Sequence, residues 1–325
     1  MKTGVIGAGA WGTALAQVLA VDGETVMLWA REPEVTAAIN DNHENELFLK
    51  GIPLSHQIHA TNTLSDLSDC DVLLLVTPAQ HLRAVLAGAL VGRRPLVLCA
   101  KGIEAKTMQL MSEVAHEACP EAPIAVLSGP TFAHEVAHGM PTAVTLACDD
   151  ADLAGAIAGR LARTHFRPYL SEDVVGAEIG GAVKNVLAIA CGVVEGRGLG
   201  QNARAALIAR GFAEMTRFGL AKGARVETLA GLSGLGDLVL TCSSTASRNF
   251  SLGKGLGEGQ DAAALLASHR TIAEGAFTAP VLQRAARALG VDMPVVDAVC
   301  RLLEGHEPVE QVVGSLLARP LRSES

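Results

Sequence analysis

The chain has 325 residues, of which 49% are hydrophobic, and a net charge of −8. This length and apolar content predict two domains with a large core, and the absence of a basic tract argues against nucleic acid as a partner. The seven cysteines are scattered, which favours free thiols in a reducing cytoplasm over disulfides or a metal site. No signal peptide or glycine-free apolar segment of membrane-spanning length is expected, which favours a cytoplasmic protein.

A glycine-rich turn at residues 7–12 follows the first apolar run and precedes a helical pattern. Strand, glycine turn and helix in this order are typical of a dinucleotide site. Gly7 permits the tight turn, Gly9 lets the backbone approach a pyrophosphate, and Gly12 lets the helix pack against the strand. The helix N-terminus then offers unpaired N–H groups to the phosphates. The pattern predicts a nucleotide-binding domain, with a purely structural turn as the alternative.

The second predicted strand, residues 25–29, is followed by Ala30, Arg31 and Glu32. NAD-specific proteins place an acid at this strand end for the ribose hydroxyls, whereas an arginine suits a 2′-phosphate. Arg31 therefore indicates that NADP(H) is accepted. The alternative is that Arg31 is a solvated residue at the start of the next helix.

Apolar runs at residues 71–76, 95–100 and 122–127 predict buried parallel strands, and two more strands are expected at 142–147 and 165–170. Ligands bind beyond the carboxyl ends of such strands. Lys101 follows the second run and is placed to meet an anion or a carbonyl oxygen, although a solvated loop lysine is the commoner case. We predict a Rossmann-like α/β domain with a mostly parallel sheet over residues 1–177 and an all-α domain over residues 178–325.

Lys184 is the only charged residue between Glu178 and Glu195 in a long apolar segment that is predicted to be helical. Its neighbours on the helix face are mostly small, so a ligand could approach the ammonium closely. Burial lowers the pKa of a lysine towards the range where it exchanges protons near neutral pH. The alternative is a lysine that reaches solvent at a helix end. Because an unpaired buried charge is costly, we expect that removing Lys184 does not lower stability.

Two further segments carry candidate binding residues. Ser247, Arg248 and Asn249 combine a hydroxyl, a guanidinium and an amide, which suits an anion, although an ordinary capped helix is the alternative. Asp237 ends a tight loop from which it could reach a hydroxyl or orient a lysine. Helices are predicted at residues 203–218, 279–289, 294–303 and 309–318, followed by a loose tail at 320–325.

The joint occurrence of these motifs resembles the bacterial-type NAD(P)-dependent glycerol-3-phosphate dehydrogenases over essentially the whole chain. The matching segments are residues 7–14, 99–103, 128–133, 183–185, 232–237, 247–249 and 273–275. The resemblance implies an active site between the two domains, where dihydroxyacetone phosphate is reduced reversibly to sn-glycerol 3-phosphate with NADPH or NADH. It also implies a role in glycerophospholipid synthesis. The apolar helices of the second domain suggest a homodimer.

The resemblance also implies the roles of individual residues. Lys184 would be the proton donor and acceptor, while Lys101 and Arg248 would contact both cofactor and substrate. The other residues that would line the cofactor site are Ala10, Trp11, Arg31, Ala133, Ile272 and Glu274. The residues that would help to hold glycerol phosphate are Gly129, Thr131, Asp237, Ser247 and Asn249. Two positions depart mildly from the family pattern, since valine is expected at 272 and serine is also usual at 131.

Two other functions are open at this point. Another enzyme of the same architecture, such as a 3-hydroxyacid or 6-phosphogluconate dehydrogenase, would keep the glycine turn and the helical domain but should lack the set at residues 247–249. A sensor that binds NADP(H) without turning it over would need neither a buried lysine nor a phosphate site.

Overall fold

A single eight-stranded sheet occupies the first half of the computed structural model, which describes residues 1–20, 23–268 and 273–318. The strands are β1 Thr3–Ile6, β2 Val26–Trp29, β3 Ile58–Thr61, β4 Val72–Leu75, β5 Leu96–Leu98, β6 Ile124–Ser128, β7 Thr142–Cys148 and β8 Phe166–Ser171. Their order is β3-β2-β1-β4-β5-β6-β7-β8, and only the β6–β7 pair is antiparallel. The prediction of a mostly parallel, Rossmann-like sheet is confirmed.

Helices cover both faces of this sheet. They are α1 Ala10–Leu19, α2 Pro33–Asn42, α3 Leu82–Gly88, α4 Met111–Ala118, α5 Ala133–Ala137 and α6 Ala151–Leu161, with 3₁₀ turns at Leu64–Leu67 and Ala79–His81. Successive residues of a strand face opposite sides, so Leu74 packs in one core with α1, α2 and α6. Leu73 and Leu75 pack in a second core with α3 and α4. Burial on both faces explains why the central strands read as continuous apolar runs.

The second half of the chain is helical. Its helices are α7 Val174–Gly196, α8 Gly200–Ala221, α9 Val226–Leu229, α10 Asp237–Thr241, α11 Arg248–Gly257, α12 Ala262–Ser268, α13 Glu274–Ala288, α14 Pro294–Glu304 and α15 Val309–Leu317, with a π-helical turn at Leu232–Gly236. The Asp173 side chain caps α7 by accepting from the Gly176 N–H at 2.8 Å. The predicted division between residues 177 and 178 therefore falls inside α7, and it stays a prediction.

Helix α7 is the centre of the second half, with its side chains buried from Gly176 to Val194. By length and composition alone it could cross a membrane, but it is not free of glycine, and 89% of its most apolar window is buried inside the protein. Its packing against α11 depends on glycine, since a Cβ on Gly253 would lie 1.9 Å from the Ile189 carbonyl oxygen. α7 is thus a core helix.

The sequence interpretation missed β3 and the helical start of the segment after Leu232. Residues 232–237 were expected to form a tight loop, whereas the structure has a π-helical turn that continues directly into α10, so Asp237 lies at a helix start. The predicted tail at 320–325 lies outside the described residues.

Candidate active site

Two lysines share one buried carboxylate where the sheet meets the helical half. Lys184, on α7, donates from Nζ to Asp237 Oδ1 at 2.6 Å and to Thr241 Oγ1 at 2.9 Å. Lys101, in the loop after β5, donates from Nζ to Asp237 Oδ2 at 2.7 Å and to the Gly129 carbonyl oxygen at 3.2 Å. Four of the residues singled out from the sequence therefore lie in one hydrogen-bonded cluster.

The charged groups in this cluster shift one another's pKa values. Burial lowers the pKa of Lys184 to about 8, although the neighbouring Asp237 carboxylate favours the ammonium. Burial alone would raise the pKa of Asp237, but the two lysines outweigh it and hold this pKa below its usual value. An ammonium with a pKa near 8 can hold a proton at neutral pH and still release it to a stronger base.

Lys184 is therefore not the unpaired charge that the sequence interpretation assumed. Asp237 has no exposed surface, and it would keep only one of its two cations if Lys184 were removed. Removing one partner of a buried ion pair is destabilising because the remaining charge is left poorly compensated. The expectation that stability would not fall without Lys184 is replaced by the expectation that it falls.

Two glycines on α7 allow Lys101 and the segment before Asp237 to approach this helix closely. A Cβ on Gly180 would lie 2.3 Å from the Ser233 carbonyl oxygen, and one on Gly181 would lie 3.2 Å from Lys101 Cγ. The π-helical turn can approach α7 only because Gly180 has no side chain. The small residues beside Lys184 thus admit protein backbone on one side, which brings Asp237 to the ammonium.

The segment 247–249 begins α11 beside this cluster. Ser247 Oγ caps the helix by accepting from the Phe250 N–H at 3.3 Å. Asn249 donates from Nδ2 to Asn185 Oδ1 at 3.0 Å and accepts from the Gly275 N–H at 2.9 Å, so it joins α7, α11 and α13. Arg248 is exposed and forms no ion pair with any residue that the structure describes. Its guanidinium remains available to an anion.

Glu274 is the first residue of α13. Burial raises the pKa of its carboxyl group, while the charges of Arg248, Lys101 and Lys184 lower it. The carboxyl group of Glu274 therefore responds to the charges of the two lysines and of Arg248. Ile272, two residues earlier, lies outside the described residues.

The glycine turn has the geometry that a dinucleotide needs. Gly7 has φ +119°, in the region that favours glycine, and a Cβ on Gly12 would lie 1.8 Å from the Gly7 carbonyl oxygen. Gly9 precedes α1, whose N-terminus has no side-chain cap. Ala10 and Trp11 open this helix, and the Trp11 Nε1 group is buried with no hydrogen-bond partner in the described parts of the chain. A free helix N-terminus over close-packed glycines fits a pyrophosphate.

The remaining predicted residues lie around these two centres. Arg31 follows β2 and pairs with Glu32 at 2.6 Å. Thr131 donates from Oγ1 to the Gly129 carbonyl oxygen at 3.3 Å, in the loop after β6, and Ala133 is the first residue of α5. In residues 1–20, 23–268 and 273–318, no group of histidine, cysteine or acidic side chains could hold a metal ion.

Two site residues were missed in the sequence. Thr241 accepts from Lys184 Nζ and donates to Asp237 Oδ1 at 3.2 Å, and Asn185 is bonded to Asn249. Thr241 lies four residues after Asp237, which places both on one face of α10. The helical spacing would have revealed Thr241 if residues 237–241 had been read as a helix.

A Rossmann-like domain with a dinucleotide turn, joined to a helical domain that supplies a buried lysine, defines a two-domain dehydrogenase. Models of the N-terminus and C-terminus of the NAD-dependent glycerol-3-phosphate dehydrogenases match residues 2–154 and 173–314. The chain therefore belongs to the NAD-dependent glycerol-3-phosphate dehydrogenase family.

Named relatives agree with this assignment over the full length. The chain is 64% identical to glycerol-3-phosphate dehydrogenase (NAD(P)+) of Erythrobacter litoralis over 98% of this chain and 97% of that protein. It is 57% identical to the protein of the same name from Caulobacter vibrioides, over 100% and 99%. The crystal structure of glycerol-3-phosphate dehydrogenase from Coxiella burnetii superposes with a TM-score of 0.94 at 36% identity, covering 98% and 99% of the two chains.

Proposed function

We propose that this chain is an NAD(P)-dependent oxidoreductase that reduces dihydroxyacetone phosphate to sn-glycerol 3-phosphate and also catalyses the reverse reaction. The observation that carries the proposal is the buried Lys184 ammonium, held 2.6 Å from Asp237 at the carboxyl edge of the sheet. Family membership over the whole chain supports the substrate.

Lys184 is the proton donor in the proposed reduction. The nicotinamide of the cofactor, when bound, supplies the hydride to the carbonyl carbon. Lys184 then delivers a proton to the carbonyl oxygen, and its pKa near 8 keeps it mostly protonated at neutral pH. Asp237 and Thr241 orient its Nζ by direct hydrogen bonds. Lys101 adds a second cation beside the oxygen on which negative charge develops.

The phosphate of the substrate would be held away from the reacting carbon. Arg248 presents an exposed guanidinium at the N-terminal end of α11, where the helix dipole also favours an anion. Ser247 and Asn249 flank it and would add a hydroxyl and an amide. Gly129 and Thr131, in the loop that also accepts from Lys101, would line the glycerol part of the site.

The cofactor would lie across the start of α1. Gly7, Gly9 and Gly12 shape the turn, and Ala10 and Trp11 would contact the cofactor beside it. Further contacts would come from Arg31 to a 2′-phosphate, from Lys101 and Arg248, and from Ala133, Ile272 and Glu274. Trp11 Nε1 has no hydrogen-bond partner among the described residues, which supports a polar ligand atom at this position.

The cellular setting proposed here is cytoplasmic, with the product supplied to glycerophospholipid synthesis. All seven cysteines are free thiols, which supports a reducing compartment. A homodimer through the helical half is proposed because apolar side chains such as Leu220 and Val226 are about half exposed there.

A spectrophotometric assay tests the proposed reaction. NADPH and NADH oxidation is followed on addition of dihydroxyacetone phosphate, with a 3-oxoacid and ribulose 5-phosphate plus bicarbonate as competing substrates. We expect rapid oxidation of the cofactor with dihydroxyacetone phosphate and none with the competing substrates. Turnover of only a competing substrate would assign another dehydrogenase activity, and cofactor binding without oxidation of any substrate would assign a sensor.

A further inference from the structure

The backbone at the end of β2 is fixed before the chain reaches Arg31. Trp29 donates from Nε1 to the Asn62 carbonyl oxygen at 3.0 Å, and Asn62 donates from Nδ2 to the Ala30 carbonyl oxygen at 2.9 Å. These bonds tie the strand end to the loop after β3. The positions of Arg31 and Glu32 at the edge of the sheet are therefore set by the fold.

Arg31 and Glu32 form an ion pair at this edge. The Arg31 Nη2 and Nε groups lie 2.6 and 3.0 Å from Glu32 Oε1. The Arg31 side chain is 75% exposed, whereas that of Glu32 is 24% exposed. Glu32 precedes Pro33 at the start of α2, and its own carbonyl oxygen accepts from the Val35 N–H at 3.2 Å. Glu32 is thus the constrained partner, and Arg31 has room to turn away.

The Glu32 carboxylate has no role in capping α2, because it makes no hydrogen bond to the N–H groups of the first turn. An acid at this strand end is the group that accepts hydrogen bonds from the ribose hydroxyls of NAD(H), and an arginine is the group that receives the 2′-phosphate of NADP(H). The chain carries both, side by side and paired. Glu32, one residue after Arg31, is therefore the candidate for the acid that NAD-specific proteins place at this strand end.

We propose that Glu32 is a second determinant of cofactor choice, acting against Arg31; this rests on the proposed cofactor site. With NADH, Glu32 accepts from the ribose hydroxyls while Arg31 stays paired with it. With NADPH, the 2′-phosphate takes Arg31 from Glu32 and is repelled by the carboxylate that remains. The ion pair lets one site accept both cofactors, and Glu32 shifts the balance towards NADH.

Equilibrium binding of NADH and NADPH to the full-length protein tests this role without requiring turnover. Glu32→Gln should weaken binding of NADH about fivefold, because a neutral hydrogen-bond acceptor replaces a charged one. It should tighten binding of NADPH about threefold, because a partly exposed negative charge is removed from beside the 2′-phosphate, and this gain should shrink at high salt. Glu34→Gln is the matched control, since it removes the same charge from an exposed position in the same helix turn and should leave the ratio unchanged.

Arg31→Ala, measured in the same series, separates the two proposals. If Arg31→Ala weakens NADPH selectively while Glu32→Gln leaves the NADPH-to-NADH ratio at the wild-type value, the role of Glu32 is overturned and the cofactor site stands. If neither variant changes the ratio, the placement of the adenosine ribose at this strand end is itself wrong. Thermal melts that coincide with the wild type would show that the variants are folded.

Discussion

Replacing Asp237 with asparagine should remove the common partner of two ammonium groups. Asp237 is fully buried, and its oxygens lie 2.6 and 2.7 Å from the nitrogens of Lys184 and Lys101. Breaking a buried ion pair by removing one partner costs about 3–5 kcal/mol. Lys101 can turn towards water because its side chain is 15% exposed, so we expect a loss near the lower limit, about 3 kcal/mol.

The same change should alter the pH dependence of the reaction. Asp237 is what favours the charged form of Lys184, so the pKa of this lysine should fall below its present value of about 8. A proton donor must be protonated, and reduction should therefore decline with rising pH at a lower pH than in the wild type. Turnover at neutral pH should fall about 10²–10³-fold, within the range for a positioned acid.

Thermal melting and a pH series of steady-state turnover measure both effects of Asp237→Asn. Asp297→Asn is the control, because Asp297 pairs with Arg287 on the surface, where such pairs contribute about 0–1 kcal/mol. An Asp237→Asn protein that melts like this control, with the wild-type pH profile, would refute the proposed coupling of the two lysines through one carboxylate.

Three further predictions concern packing, phosphate binding and pH-dependent stability. Gly253→Ala should lower the free energy of unfolding by about 1–3 kcal/mol, because the new Cβ would meet the Ile189 carbonyl oxygen. The control is Gly155→Ala, whose Cβ would lie in open space on α6 and should not destabilise the protein. Equal melting temperatures for the two variants would contradict the close packing of α7 against α11. Arg248→Ala should raise KM for dihydroxyacetone phosphate about tenfold or more in steady-state kinetics, with poor rescue by lysine, and an unchanged KM would move the phosphate site elsewhere. Burial raises the pKa of Glu214, on α8, from 4.5 to about 7, so the folded protein favours the protonated carboxyl group. The stability that this group contributes is therefore lost as the pH rises from about 4.5 to about 7. The melting temperature between pH 5 and 8 should then change less with pH in Glu214→Gln than in the wild type. The same pH dependence in both proteins would exclude this role of Glu214.

The sheet could be predicted where burial on both faces left a continuous apolar run. Val72–Leu75 and Leu96–Leu98 are such strands, and they lie at the centre of the sheet. Ile58–Thr61 is an edge strand with an exposed histidine, and its sequence has no such run. It is a strand because it pairs with Val26–Trp29, which is a non-local contact that periodicity cannot report.

The site could be predicted as a set of residues but not as a set of contacts. Lys184, Lys101 and Asp237 were each singled out by local sequence, yet Asp237 lies 53 and 136 residues from the two lysines. Their pairing depends on how the π-helical turn packs against Gly180. Without that contact Lys184 was interpreted as an unpaired charge, so its removal was not expected to lower stability. Its pairing with Asp237 is the reason that we now expect a loss of stability.

The reaction proposed here depends most directly on Lys184 as the proton donor. Turnover of dihydroxyacetone phosphate by Lys184→Ala should fall about 10²–10⁴-fold. NADPH binding should persist because the glycine turn and Arg31 lie in the other half of the chain, and the melting temperature should fall below the wild type. Lys222→Ala, which removes a lysine paired with Glu113 near the surface, is the control and should keep near-normal turnover. Near-normal turnover by a folded Lys184→Ala protein would contradict the assignment of Lys184 as the acid.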